Sequence, residues 1–428
     1  MKNYLENISE IVPRIIRSSK IRNTLYSLLG LFVFQFTNAL VILIIARKIT
    51  VLEYGQLVSI KAFVNILIVL ANFGFDSWFL ARANFFANYK FIWLDLFSKK
   101  IKLLIIFFLS GLLFTYFLFD NQTYPEIIFF LLGGSLIFDS LLQSIFTLQR
   151  VVGKFVSIFY LQISYSIILF ITVLLIPKYG NSLLIFCLIK VLISILSVFF
   201  GFYRLNKEHE IKIINYKKNS LSKKLNIWTF YIADISAVFY ERIDIFLISI
   251  FIGVSGNEIY GPAISIIFFS FFLPNAIYYV VLPLLSTNYK NYINLKNDSF
   301  IKIALTQLTI QFFFGILVYI FIKLFTQPII IILFGSKYVE SLTILQNLAI
   351  IPMIKYLNFG LGAIITSSNN QKIRTNIMIS SAVINFLLNL LLIRIIGIQG
   401  AIISYIISEL FLMSFYTYYS VKILRNKP

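Results

Sequence analysis

Apolar runs of about twenty residues, the length that spans a bilayer as an α-helix, recur twelve times from residue 22 almost to the end of the chain. They fall at about 23–45, 58–80, 101–119, 127–148, 156–176, 182–202, 226–252, 259–285, 303–325, 341–366, 376–395 and 398–420. This pattern predicts an all-α integral membrane protein whose connections are too short to fold into a soluble domain. Composition agrees: 59% of the residues are hydrophobic and 13% charged, whereas soluble domains sit near ~45–50% and ~25%. The single cysteine, Cys187, lies inside a run, so neither a disulfide nor a cysteine metal cluster is expected.

The first run is too long for a cleavable signal and has no small-residue cleavage site after it, so residues 1–22 are expected to stay in place. Tyr4, Leu5, Ile8, Ile11, Val12, Ile15 and Ile16 fall at helical spacing opposite Lys2, Arg14, Arg17 and Lys20. That arrangement predicts a helix lying on the membrane surface, interrupted at Pro13.

A formal charge of +20 invites a nucleic-acid reading, and the distribution of Lys and Arg decides against it. With the N-terminus cytoplasmic, the inner connections hold 27 of them and the outer ones five: Arg47, Lys48, Lys178, Lys337 and Arg394. The basicity therefore reports membrane orientation, with both termini cytoplasmic. No nucleic-acid partner is expected, because no folded basic surface with stacking aromatics is present.

The longest connection, 203–225, is rich in Lys and Asn and divides the runs into six and six. The expected organisation is a cytoplasmic segment 1–22, a six-helix lobe 23–202, a basic linker 203–225, a second six-helix lobe 226–420 and a tail 421–428. Short matches repeat across the linker. Tyr54-Gly55 and Tyr260-Gly261 are 206 residues apart, Gly180 and Gly397 217, and Lys154 and Lys372 218. Their order supports an internal repeat of six spans, related by an axis along the membrane normal, with substrate handled between the halves.

A charge at mid-bilayer costs on the order of 2.5–3.5 kcal/mol on insertion scales, yet the spans keep eleven: Lys61, Lys190, Arg242, Lys323, Lys355, Asp76, Asp139, Asp234, Glu241, Asp244 and Glu409. On the second span Lys61, Asn65, Asn72 and Asp76 share a sector of about 60° at 100° per residue. On the seventh, Asp234 and Glu241 share a face, with Arg242 and Asp244 to either side. The fourth carries Ser135, Asp139, Gln143 and Thr147 at fourfold spacing, and the tenth carries Asn347, Lys355 and Asn358. Such stripes are expected to line an interior that admits water or substrate.

Each residue also has a plainer role open to it. Asn65, Asn72, Gln143 and Asn358 could be interhelical hydrogen-bonding glue. Lys61 and Lys323, near span ends, could snorkel. Asp234, Glu241 and Asp244 are either counter-ions for Arg242 or a cation site. Pro262, Pro274, Pro283 and Pro352 are either moving bends or static kinks.

The only histidine, His209, lies in the linker, which leaves no histidine for a metal site or proton relay in the membrane. There is no phosphate-binding Gly-Lys-Ser loop. The longest outer segment, 326–340, is too short to house glycan-transfer chemistry. These features point to a transporter that is not an enzyme and uses no cofactor.

Ala46-Arg47 closing the first span, Glu53-Tyr54-Gly55 after it, Phe73-Gly74 late in the second, Arg242-Ile243-Asp244 in the seventh and Tyr260-Gly261-Pro262-Ala263 opening the eighth together resemble the polysaccharide-transporter branch of the multidrug/oligosaccharidyl-lipid/polysaccharide (MOP) exporter superfamily. The likeness is nearest to the Wzx-type O-antigen flippases, and Thr50-Val51-Leu52-Glu53 departs from their pattern where a Gly-Pro pair would stand. The resemblance implies two six-helix, MATE-like lobes. It further implies transport, by alternating access, of an undecaprenyl-pyrophosphate-linked oligosaccharide repeat unit from the cytoplasmic to the periplasmic leaflet of a bacterial inner membrane, for O-antigen or capsule. Membrane lipids and the polymerase and chain-length proteins of the same pathway are the implied partners.

For such a cargo, Arg and Lys supply charge-assisted hydrogen bonds to pyrophosphate oxygens. The candidate substrate-binding cations are Arg242, Lys355, Lys190, Lys61 and Arg47. The candidate cavity acids, or coupling residues, are Asp234, Glu241, Asp244, Asp76 and Asp139. Asn65, Asn72, Asn358 and Gln143 would supply polar lining. Two other readings stay open: a cation-coupled multidrug exporter working through Asp76, Asp234 and Glu241, and a flippase for another lipid-linked glycan.

Overall fold

The computed structural model describes residues 19–83, 86, 88–118, 125–178, 180–209, 227–295 and 299–425. The expected surface helix at 1–18, most of the basic linker and the last three residues lie outside the described residues. Fifteen α-helices and one 3-10 turn, Ser336–Tyr338, account for nearly all of the rest. They are α1 Ser19–Lys48, α2 Val51–Asn72, α3 Phe75–Arg82, α4 Tyr89–Leu118, α5 Glu126–Val152, α6 Phe155–Leu175, α7 Ser182–His209, α8 Trp228–Phe251, α9 Val254–Ser270, α10 Phe272–Leu295, α11 Ser299–Leu333, α12 Ser341–Leu348, α13 Ile350–Ser367, α14 Gln371–Ile396 and α15 Ile398–Arg425.

Among the described residues, ten helical stretches are long and apolar enough to cross a membrane. The other two expected crossings fall on α4, of 30 residues, and α8, of 24, the latter holding Asp234, Glu241, Arg242 and Asp244 in its middle. Mid-helix side chains such as Leu113, Ile171, Phe199, Leu324 and Leu391 stand exposed, as expected of surfaces whose solvent is lipid. The protein is a multi-pass, all-α membrane protein.

The helices cluster into two units. The first comprises the chain up to Ile49 and Leu67–Tyr231, and the second Thr50–Ile66 and Ile232 onward. Helix α2 thus contributes its first part to the second unit and its end to the first. Within the first unit α1 packs along α6 and α5 along α7; within the second, α13 packs against both α11 and α15, and α14 along α15.

Each unit repeats details of the other at offsets of 205 to 221 residues. Ring contacts join Phe34 to Tyr165 (5.3 Å) and Phe239 to Phe386 (6.3 Å), which are first-to-fifth and seventh-to-eleventh span contacts. Left-handed residues end corresponding helices, with Gly153 (φ 82) after α5 and Asn369 (φ 62) after α13.

Several boundaries differ from the sequence expectation. The second span begins at Val51, where Thr50 and Glu53 form a reciprocal cap: Thr50 N–H donates to Glu53 Oε2 (2.7 Å) and Glu53 N–H to Thr50 Oγ1 (3.2 Å). This cap gives the Thr-Val-Leu-Glu departure its own means of starting the helix. The same span ends at Asn72, because Phe73 (φ 48) and Gly74 (φ 69) turn the chain before α3. A Cβ on Gly74 would also come within 2.6 Å of the Tyr231 backbone nitrogen, so glycine is required there on two counts. The four polar residues of this span therefore do not form one stripe: Asp76 lies beyond the break.

Helix α4 starts twelve residues before the expected third span and draws Lys99 and Lys100 out of the presumed connection into a helix. The eighth span is broken at Phe271, and Pro274 stands in the first turn of α10, where the missing N–H costs no helical bond. Pro352 likewise sits in the first turn of α13. Residues 326–333, expected in an outer loop, continue α11 past a non-helical Phe325 (φ −109, ψ 21).

Candidate functional site

In the first unit the embedded charges meet on three helices. Asp139, on α5, accepts hydrogen bonds from Tyr165 on α6 (3.1 Å) and from Ser194 on α7 (2.7 Å). One turn before Ser194, the Lys190 ammonium stands 3.8 Å from Asp139 Oδ2, and Lys190 is 7% exposed. The other stripe residues of α5 divide. The hydroxyls of Ser135 and Thr147 donate to carbonyls of their own helix, Leu132 and Gln143, whereas Gln143 itself is half-buried beside Asp139 on the same face.

A second charged knot in this unit lies at α3. Lys100, 1% exposed, donates to Asp76 Oδ2 (2.6 Å), Ser144 Oγ (2.7 Å) and the Ser140 carbonyl (3.0 Å). With all three ammonium protons placed, it fastens α3, α4 and α5. Asp76 is accordingly a structural counter-ion, and Lys100, read from sequence as a loop residue, is its buried partner. Nearby, Asn72 keeps a buried side-chain carbonyl without a hydrogen-bond partner. Arg47 is exposed in the last turn of α1, where positive charge complements the helix dipole. Lys48 beside it donates to the Val173, Leu174 and Ile176 carbonyls at 2.6–2.9 Å, closing the end of α6.

In the second unit Glu409, on α15, has no exposed surface. Lys355 Nζ donates to its Oε1 (2.6 Å) and Asn358 Nδ2 to its Oε2 (2.7 Å), both from α13. The Lys355 ammonium also lies 4.5 Å from the Tyr240 ring centroid and 5.5 Å from that of Phe271, so its charge is met by a carboxylate and two aromatic faces. Sequence reasoning noted Glu409 as an embedded charge but not as a site residue. Nothing local to residue 409 reveals that it answers lysine and asparagine 51 to 54 residues earlier.

Arg242 and Asp244, neighbours in sequence, go separate ways. The Arg242 guanidinium, half-buried, lies over Phe268, 4.8 Å from the ring centroid. Asp244 is buried and accepts from Tyr260 OH (2.5 Å) and from the Ile245 N–H (2.8 Å), which ties α8 to α9. Glu241 is exposed, and Asp234, Lys61 and Asn65 are half-buried. Lys323 is exposed near the Phe325 break, as snorkelling requires. Asn347 donates to Gln399 (3.2 Å).

The recurring Tyr-Gly pairs have a packing explanation. A Cβ on Gly55 would come within 2.8 Å of the Val254 carbonyl and 2.7 Å of Glu258 Cγ, and one on Gly261 within 3.1 Å of Tyr54. Both glycines therefore let the start of α2 press against α9, where Asn257 donates to Ser59 (2.8 Å). Tyr54 packs edge-on to Tyr338 (5.4 Å). Burial first, and then Tyr54, hold the Tyr338 phenol well above its ordinary pKa. Among the described residues no cluster of three or more His, Cys, Asp or Glu side chains is arranged to hold a metal ion.

The ion pairs of the two units correspond. Asp139 and Lys190 join the fourth and sixth spans, and Lys355 and Glu409 the tenth and twelfth, at offsets of 216 and 219 residues. Their polarity is exchanged between the helices. They also differ in tightness, 3.8 Å against 2.6 Å.

No protein-family model and no curated protein matches the chain in sequence. Solved structures do match its fold. The lipid II flippase MurJ in an inward closed conformation superposes with a TM-score of 0.70 at 14% identity, covering 94% of this chain and 89% of that one. An inward-facing multidrug-resistance MATE transporter of the MOP superfamily gives 0.66 at 11% identity, over 94% of this chain and all of that one. A MOP superfamily transporter from Pyrococcus furiosus, described as having a binding pocket of reverse polarity, gives 0.64 at 12% identity, over 95% and 96%. The fold of this chain is that of the MOP superfamily transporters.

Proposed function

We propose that this protein is a flippase that moves undecaprenyl-pyrophosphate-linked oligosaccharide repeat units from the cytoplasmic to the periplasmic leaflet of a bacterial inner membrane, by alternating access, for assembly of O-antigen or capsule. The observation that carries the reading is the retention of buried and half-buried cations in membrane helices with unequal neutralisation. Lys190 faces its carboxylate at 3.8 Å, and Arg242 rests on an aromatic ring. Cations held in this way can turn to an anionic headgroup, which Arg grips in a bidentate manner and Lys as a point charge. A fold shared with a lipid II flippase supports the same cargo class.

The multidrug-exporter reading needs acids free to bind a proton, a metal cation or an organic cation. Of the three acids that reading would use, Asp76 is already bound by Lys100 at 2.6 Å. That engagement favours the anionic cargo. The polymerase and chain-length proteins that act on the translocated unit are the expected pathway partners.

The test is made in a strain lacking the gene, by extracting lipid-linked saccharides. Accumulation of one complete, unpolymerised repeat unit on the cytoplasmic side, cured by the gene, is expected. An unchanged pool together with new sensitivity to cationic drugs would transfer the assignment to the exporters.

A further inference from the structure

Two ion pairs at corresponding places in the repeat invite comparison, and they are built for different ends. Lys355 is locked. Its carboxylate partner, Glu409, is fully buried, with Asn358 also donating to it, so withdrawing the ammonium would leave a buried carboxylate short of a donor. Lys190 is not locked. Its ammonium stands 3.8 Å from Asp139, beyond hydrogen-bond range, and it makes no hydrogen bond among the described residues.

Asp139 in turn does not depend on Lys190. Its Oδ1 already accepts from both Ser194 (2.7 Å) and Tyr165 (3.1 Å). It is also the more exposed member of the pair, at 23% of its side-chain surface against 8% for Lys190, so an incoming group meets the pair at the carboxylate edge. A nearly buried ammonium with unused donors, beside a carboxylate that has reserve donors, is an arrangement that can exchange one anion for another with little left unpaired.

We propose that Asp139 is a resident stand-in for the anion of the cargo: it holds Lys190 in the empty protein, and a phosphate or pyrophosphate oxygen replaces it on the ammonium while Tyr165 and Ser194 keep the displaced carboxylate hydrogen-bonded. This rests on the flippase reading for the identity of the cargo, and on the geometry alone for the exchange. It makes Asp139 a competitor that weakens headgroup binding and so eases release after transport. It also separates Lys190, a ligand contact, from Lys355, whose charge is already spoken for.

The experiment is equilibrium binding to the purified full chain in lipid nanodiscs, with two probes: inorganic pyrophosphate and farnesyl pyrophosphate. Asp139→Asn removes the competing charge and is expected to tighten binding by about tenfold, while Lys190→Gln abolishes it. Ser194→Ala moves the other way, loosening binding by roughly threefold, because a carboxylate short of a donor clings to the ammonium. It supplies an independent reading should Asp139→Asn fail to fold. A gain with both probes identifies a site that reads the anion alone, and a gain with farnesyl pyrophosphate only identifies one that takes the anion from its lipid; both support the exchange.

Equal or weaker binding by Asp139→Asn, or wild-type binding by Lys190→Gln, overturns it. If neither probe binds while the gene-deleted strain accumulates repeat units, the exchange falls and the flippase reading stands. If Asp139→Asn tightens binding while no repeat unit accumulates, the site stands and the cargo assignment falls.

Discussion

Glu409 is a carboxylate with no exposed surface, held by one lysine and one asparagine. Breaking such a pair by removing one partner typically costs about 3–5 kcal/mol, whereas replacing both partners is far less harmful. Lys355→Met and Glu409→Gln should therefore each lower the thermal midpoint of the detergent-solubilised protein by several degrees, and the double variant should recover most of the loss. Additive losses in a double-mutant cycle would show that the pair is not the unit of stability. The looser Asp139–Lys190 pair should behave otherwise. Asp139→Asn leaves the Tyr165 and Ser194 hydroxyls an amide carbonyl to bond, and its effect on the midpoint should be the smaller. The cost of charge in a bilayer marked these residues in the sequence, but their partners were not legible there. The partners of Asp76, Asp139 and Glu409 sit 24 to 55 residues away on other helices, and periodicity along one helix says nothing of what faces it.

At the scale of helices, the sequence is most informative where apolar runs are long and uninterrupted, and least where a break costs few polar residues. Phe73-Gly74 sits in an apolar stretch, so the turn there is signalled only by a single glycine, and the stripe drawn through it was divided by the fold. Lys100 was misplaced for the converse reason. A lysine at the edge of an apolar run reads as the end of a span unless its counter-ion, Asp76 on α3, is known. Two predictions belong to this scale. Gly74→Ala forces a Cβ against the Tyr231 backbone in a left-handed conformation, and should cost about 1–3 kcal/mol, seen as a lower yield of folded protein by fluorescence-detected size exclusion. Gly55→Val should be worse than Gly55→Ala by the same assay, because the start of α2 would be levered from the Val254 carbonyl. Equal tolerance of both would mean that the glycine has no packing role.

For the whole molecule, a six-and-six division is proposed from the linker and the 206-to-218-residue offsets of short motifs, and the membrane-length helices themselves, ten among the described residues, were visible in hydropathy. The way α2 is shared between the two units was not, since it depends on long-range packing rather than on any local signal. Arg242 is the proposed cargo-binding cation of the second unit. Arg242→Ala should abolish complementation of surface-glycan assembly at normal expression, and Arg242→Lys should restore part of it, as expected of a charge that binds an anion. Acid-to-amide changes at Glu241 and Asp234 should leave complementation largely intact.

The central claim is tested most directly by reconstitution. Purified protein in liposomes is supplied with an undecaprenyl-pyrophosphate-linked repeat unit labelled on its sugar, and the fraction of label reached by an enzyme or quencher confined to the opposite side is followed over time. The account predicts protein-dependent transfer between leaflets that is lost in Arg242→Ala and Lys190→Gln. No transfer by wild-type protein, in vesicles that do accumulate an organic cation against a proton or sodium gradient, would contradict it.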